Sequence, residues 1–327
     1  MESKKPTLII LTGPTAVGKT DLSIRLAKEI NGEIISADSM QVYRGMDIGT
    51  AKIRKDEMQG VPHHLLDCFD PDEEFNVAVF QTMAKQAINE IHARGHVPVL
   101  TGGTAFYIQA LLYGIDFNEE DHDDSYRNSM YVIGETEEGK QKLHRMLSEC
   151  DPEYADTVHY NNMKRVVRAL EYHHYTGRRF SEYNEQQRQR DAEYEFCYFV
   201  LNDDRAHLYE RINKRVDLMI KEGLEREVHH LLEKGYTPDL VSMQGVGYKE
   251  LLAYFDGKQT LEEAVETIKK NTRHFAKRQL TWFRKEADVI WVDKQQFGYD
   301  DDKILDFIYE HTKNIGIEKE QIYEFNV

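Results

Sequence analysis

The chain has 327 residues, 40% hydrophobic and 31% charged, with a formal net charge of −16. That is enough for one large core, or a core with a smaller attached one, and it excludes a protein that draws nucleic acid over its whole surface, because phosphate contacts need Lys and Arg. No run approaches the ~20 apolar residues of a membrane span, and Cys68, Cys150 and Cys197 have neither disulfide-framework nor metal-ligand spacing, so we expect a cytoplasmic protein that is not bound to membrane.

Residues 7–11 form a short β-rich run, followed by GPTAVGKT and then DLSIRLAKEI, in which Leu22, Leu26 and Ile30 recur every four residues along one face. The order is strand, phosphate loop, helix. Residues 33–36 read as a second strand ending near Asp38, and residues 97–101 as another buried strand ending in Gly102, Gly103 and Thr104. Strands alternating with helices predict an α/β fold, a P-loop NTPase-like parallel sheet flanked by helices. Ligands of such sheets sit at the carboxyl ends of the strands, where the loop, Asp38 and Thr104 all fall.

The acidic stretch at residues 119–124 breaks this rhythm, and the segment from there to about Arg190 is helix-rich without a convincing strand. It predicts a helical insertion. Strand signals return at residues 196–201, a long amphipathic helix follows from Ala206 to Glu222, and residues 289–292 read as a last strand. The expected organisation is a discontinuous core catalytic domain, residues 1–122 and 191–327, with a helical insertion domain at residues 123–190. Two basic clusters stand against the acidic total. Residues 267–285 hold Lys269, Lys270, Arg273, Lys277, Arg278, Arg284 and Lys285 with no acidic residue, and Lys164, Arg165, Arg168, Arg178, Arg179, Arg188 and Arg190 form the second. Each fits either a solvated helix face or an RNA contact.

Residues 13–20 match G-x-x-x-x-G-K-[ST] in the context the mechanism demands, an apolar strand before and a helix after. Gly13, Thr15, Ala16, Val17 and Gly18 would wrap a phosphate with backbone N–H groups at a helix N-terminus. Lys19 would neutralise its oxygens, and Thr20 would offer its hydroxyl to Mg2+. The loop therefore calls for a di- or triphosphate without saying which.

More specific signals lie beyond the loop. The chain reads SADSMQVYRGMDIGTAK at residues 36–52 and VPHHLLD at residues 61–67. It continues with Gly102-Gly103-Thr104, RVVRAL from Arg165, RINKR from Arg211, GVGY from Gly245 and KRQLTWF from Lys277. On these residues it closely resembles the tRNA dimethylallyltransferases, in order and over most of its length. The resemblance implies a magnesium-dependent prenyl transferase whose partners are tRNA and dimethylallyl diphosphate. It would move the dimethylallyl group to N6 of the adenosine 3′-adjacent to the anticodon and release pyrophosphate.

By the same resemblance the P-loop, Arg211 and Arg215 hold the pyrophosphate, and Lys19 and Arg215 stabilise it as it leaves. Asp38 takes the proton of a poorly nucleophilic amine, and Thr104 fixes the geometry there or caps the following helix. The implied tRNA contacts are Asp38, Ser39, Met40, Gln41 and Thr104, then Lys164, Arg165, Val166, Val167 and Arg168, and then Gln244, Gly245, Val246, Gly247, Tyr248 and Lys249. Arg127 is a further candidate. Nothing in the sequence calls for an obligate protein partner. The pairs His63-His64, His173-His174 and His229-His230 are poor metal ligands, because adjacent side chains on a helix or strand point apart.

Two other readings compete. A P-loop small-molecule kinase would use the same loop for ATP, but has no need of the long block at residues 38–52. A non-catalytic RNA-binding module has no need of intact Lys19, Thr20 and Asp38.

Overall fold

A strand buried on both faces needs partners on both edges and helices above and below, and Leu8, Ile9, Ile10 and Leu11 are all fully buried. The computed structural model describes residues 5–115, 124–188 and 190–319. In chain order it contains β1 (Thr7–Thr12), α1 (Lys19–Glu29), β2 (Gly32–Ala37), β3 (His63–His64), α2 (Val77–Ala93), β4 (Val97–Gly102) and α3 (Ala105–Leu112). Five helices follow, α4 (Ser125–Ile133), α5 (Glu137–Cys150), α6 (Pro152–Thr157), α7 (Met163–Thr176) and α8 (Phe180–Arg188). The chain then resumes strand–helix alternation with β5 (Glu195–Asn202), α9 (Arg205–Glu222), α10 (Leu224–Glu233), α11 (Tyr248–Phe255), α12 (Leu261–Phe283), β6 (Val289–Asp293) and α13 (Asp301–Thr312).

All six strands run parallel in the order β3-β2-β4-β1-β5-β6. The architecture is the P-loop NTPase-like sheet expected from the sequence, with one addition, the two-residue β3. That strand is too short to carry a period-2 pattern. It does place His63 and His64 on opposite faces.

The chain divides into two compact units, Met1–Leu112 with Glu193–Val327, and Tyr113–Ala192. The border expected at residues 122/123 falls outside the described residues, as does most of the acidic stretch at residues 119–124. In the first unit α9 runs where its pattern predicted, burying Leu208, Ile212 and Val216, and the Asp204 carboxylate caps it by accepting from the N–H groups of Ala206 and His207 at 2.8 and 3.1 Å. The basic segment lies on α12, which opens with a reciprocal capping box between Thr260 and Glu263. The second unit has its own core, including Leu143, Leu147, Val166, Val167 and Leu170. Buried Asp151 staples it: one oxygen caps α6 at Tyr154 N, and the carboxylate also accepts from the N–H and hydroxyl of Ser181 at 2.8 and 2.7 Å.

Glu33 stands near the start of β2, at the opposite end of the strand from Asp38, with its side chain only 3% exposed. Burying a carboxylate is costly unless it is paired and hydrogen-bonded. Arg94 grips it with two N–H groups at 2.9 and 2.7 Å, and His64 and His96 each approach to 2.6 Å. The arginine, helped by the histidines, outweighs desolvation and holds the carboxyl at a pKa of about 2. A depressed folded-state pKa contributes stability above the ordinary carboxyl pKa, and that stability is lost as pH falls through the folded value. Glu33→Gln should therefore cost about 2–3 kcal/mol at neutral pH. Urea unfolding of both proteins should show the gap narrowing below about pH 4.5, and a pH-independent gap would refute the coupling.

Candidate active site

Register brings the expected site together. Thr12 of β1 and Ala37 of β2 both pair with Gly102 of the intervening β4, so the segments starting at Gly13, Asp38 and Gly103 leave the sheet at one level. Two strand spacings separate the Asp38 strand from the P-loop strand, roughly 10 Å. The turn after β4 is tied to the Asp38 loop twice: Thr104 N–H donates to Ala37 O at 3.2 Å, and Thr104 Oγ1 accepts from Ser39 N–H at 3.2 Å. The Thr104 hydroxyl thus serves the Asp38 loop.

The phosphate loop has the conformation its glycines permit. Gly18 caps α1 at φ 98°, a left-handed geometry that disfavours side chains, and it offers no side-chain cap. The first-turn N–H groups of α1 are consequently left for a ligand. Lys19 Nζ donates to the carbonyls of Gly13 and Pro14 at 3.0 and 2.9 Å, and Arg211 Nε donates to Ala16 O at 2.8 Å. Arg215 lies one turn further along α9. Removal from water is the main reason the Lys19 ammonium is pushed down to a pKa of about 7. The charge of Arg215 adds to the effect and that of Asp38 opposes it. Arg215 is lowered as well, first by burial, with Asp38 opposing and Arg211 adding.

These groups line one cavity of about 410 Å³, whose walls include Thr15, Ala16, Gly18, Lys19, Thr20, Arg211 and Arg215 on one side and Asp38, Gln41, Thr50, Ala51 and His63 on the other. Asp38 Oδ1 accepts from Met40 and Gln41 N–H at 2.8 and 3.3 Å. Oδ2 has no hydrogen-bond partner among the described residues. The 36–52 block is held from within by Lys52, a buried cation that donates to Tyr43 O, Asp47 and Asp67 at 2.6, 2.7 and 2.5 Å. Among the described residues no three His, Cys, Asp or Glu side chains gather as a metal site, and no helix is long and apolar enough to cross a membrane.

A family model described as IPP transferase matches residues 41–286. The chain belongs to the IPP transferase family. It is 58% identical over 293 residues to a tRNA dimethylallyltransferase of Lachnoclostridium phytofermentans, a match covering 90% of this chain and 93% of that protein. Among solved structures, a tRNA isopentenylpyrophosphate transferase of Bacillus halodurans is 46% identical with a TM-score of 0.70, covering 93% of this chain and 96% of that one. A eukaryotic dimethylallyltransferase acting on tRNA is 30% identical with a TM-score of 0.81, covering 97% and 81%. These likenesses support the transferase reading and not the kinase reading.

Within this IPP transferase family member, several expected tRNA contacts turn out to have other work. Val166 and Val167 are buried in the core of the second unit, so their side chains cannot meet a nucleotide. Tyr248 is 1% exposed and donates its hydroxyl to Glu227 at 2.7 Å, and Gly247 is buried beside it. Gln41 spends its amide on Ser36, Thr50 and Ala51. Among the residues expected to hold pyrophosphate, Val17 is fully buried, so only its backbone can face a phosphate. Arg127 is paired with Glu171 and Asp124. Lys164, Arg165, Gln244 and Lys249 are exposed; Ser39, Met40, Arg168, Gly245 and Val246 are half-buried.

Two site residues stand in motifs that the sequence reading quoted, without a site role assigned to them. Gln279, 6% exposed on α12, accepts from Thr15 N–H and donates to Gly103 O, both at 2.9 Å, so one amide clamps the phosphate loop to the β4 turn. Its signal in the sequence is its place in the KRQLTWF motif. His63 bonds Val61 O at 2.8 Å through Nδ1 and lines the cavity, and burial lowers its pKa.

A Lys19 pKa near 7 has a measurable consequence. An anion favours the charged ammonium, so pyrophosphate binding near pH 8 should draw up a fraction of a proton that is absent near pH 6, where Lys19 is already charged. Calorimetry in buffers of different ionisation heat should show this uptake in the wild type and not in Lys19→Met, whose affinity should also fall roughly 10- to 100-fold. Equal uptake in both proteins would assign the proton elsewhere.

Proposed function

We propose that the protein is a tRNA dimethylallyltransferase that uses dimethylallyl diphosphate as donor and the N6 amine of the adenosine 3′-adjacent to the anticodon as acceptor. The observation that carries this reading is the joint presence, in one cavity, of a cationic phosphate cradle and a carboxylate with an uncommitted oxygen. The cavity size suits a small diphosphate ester meeting the edge of one base, and a base can present that edge only when splayed out of its stack.

In the proposed reaction the allylic C–O bond breaks and a C–N bond forms, pyrophosphate leaves, and the amine proton passes to Asp38. Lys19, Arg211 and Arg215 stabilise the charge that grows on the leaving group. The exposed Thr20 hydroxyl opens the first turn of α1 beside the cradle. Mg2+ prefers oxygen ligands and keeps several waters, which fits this single hydroxyl together with diphosphate oxygens, and the ion would supply further charge neutralisation there. The Thr104 hydroxyl, accepting from Ser39, retains a second lone pair that can accept from the N6 amine and so orient it. The exposed Lys164 and Arg165 on α7 are the proposed phosphate contacts of the second unit.

The donor is tested by incubating unmodified tRNA and Mg2+ with labelled dimethylallyl diphosphate or labelled ATP. Label should reach tRNA from the first alone, and phosphorylation of a small metabolite by the second would overturn the proposal. Asp38→Asn keeps size but cannot take the proton, so single-turnover transfer at saturating tRNA and donor should slow by roughly 10²- to 10⁴-fold. A defect that excess donor or Mg2+ repairs would make Asp38 a binding residue instead.

A further inference from the structure

Part of the cavity wall belongs to neither helix nor sheet. Residues 45–51 carry Thr50 and Ala51 to the cavity, and the three N–H groups just before them converge on one carboxylate. Glu227 Oε2 accepts from Asp47 and Ile48 N–H at 2.9 and 2.7 Å, and Oε1 from Gly49 N–H at 3.1 Å. Successive N–H groups arranged in this way form an anion-binding concavity. Tyr248 completes the shell by donating to Oε1 at 2.7 Å. Burial first, and then Glu227 itself, push the phenol pKa well up, so Tyr248 stays a donor. The position opposite its ring must be glycine, because a Cβ on Gly49 would lie 2.6 Å from the ring atoms.

From this anchor the bonds continue to the proposed base. Thr50 O and Ala51 O accept from Gln41 Nε2 at 3.2 and 3.4 Å, Gln41 Oε1 accepts from Ser36, and the Gln41 N–H joins that of Met40 on Asp38 Oδ1. We infer that Glu227 is a positioning residue for the acceptor half of the site: through residues 47–51 and Gln41 it sets where Asp38 stands, without touching substrate. The inference rests on the reading of Asp38 as the base. Charge-assisted bonds to backbone N–H are strong and directional, whereas a loop without them is free to shift by the ångström that ruins proton transfer.

Glu227→Gln keeps the size, offers one acceptor oxygen in place of two and turns an NH2 against N–H donors. Its kcat per pyrophosphate-binding site, at saturating tRNA and dimethylallyl diphosphate, should fall roughly 10- to 100-fold, with the pyrophosphate Kd unchanged. Counting sites by pyrophosphate titration removes any loss of folded protein from the comparison. Tyr248→Phe, which deletes one bond of four, should show the same pattern more weakly. The deciding measurement is the cycle with Asp38→Asn, because positioning a base that is absent gains nothing. The double variant should transfer no more slowly than Asp38→Asn alone. An unchanged kcat per site in Glu227→Gln, or full additivity on top of a slow Asp38→Asn, would overturn the inference while leaving the base assignment standing. A near-normal Asp38→Asn rate would instead remove the base assignment and the inference with it.

Discussion

Positive charge held out of water at the carboxyl end of the sheet is the constraint on which the site depends. Burial disfavours the charge of Lys19 on α1 and of Arg215 on α9, and a neighbouring cation, Arg215 beside Lys19 and Arg211 beside Arg215, adds to that cost. Asp38 offsets part of it from the end of β2, two strand spacings away from the phosphate loop. A bound polyanion would relieve the rest, and in the proposed reaction that relief would grow as charge builds on the leaving group.

Such a cradle is useful only if the acceptor is held at a matching distance, and the structure solves this with backbone hydrogen bonds. Three loops must stay in mutual register, those after β1, β2 and β4, and none has a regular ladder to hold it. Gln279 ties the first to the third, Thr104 ties the third to the second, and Glu227 with Tyr248 pins the outer wall from α10 and α11. Gln279 and Tyr248 are buried and Thr104 and Glu227 half-buried, and such polar groups are stable in place because each is hydrogen-bonded.

The acidic total of the chain also looks different once its carboxylates have addresses. Glu33, Asp151 and Glu227 point inward and accept N–H or O–H donors, so part of the formal charge of −16 is structural. Exposed Lys164 and Arg165 can then contribute local attraction within an acidic molecule, since screening confines such fields to about 10 Å at moderate salt.

The sequence by itself determined the parallel sheet, the phosphate loop and the family. Alternation of apolar strands and helices, and the fixed spacing of Gly13, Gly18, Lys19 and Thr20, are local properties written in consecutive residues. Asp38 and Thr104 were legible because each lies within two residues of a strand end. Tertiary structure alone decided which family-motif residues face the cavity. The sequence reading placed the GVGY segment among the tRNA contacts and gave the MDIGTAK segment no contact of its own, and only the meeting of Tyr248, Gly49 and Glu227, 178 to 180 residues apart along the chain for the loop and its carboxylate, shows that they hold one another. The same holds for Val166 and Val167, whose burial depends on the packing of α7 against α4 and α5, and for Gln279, whose partners lie 264 and 176 residues away. Periodicity reports which face of an element is apolar; a hydrogen bond between distant loops leaves no period in the sequence, because its donor and acceptor are mostly backbone groups that every residue carries.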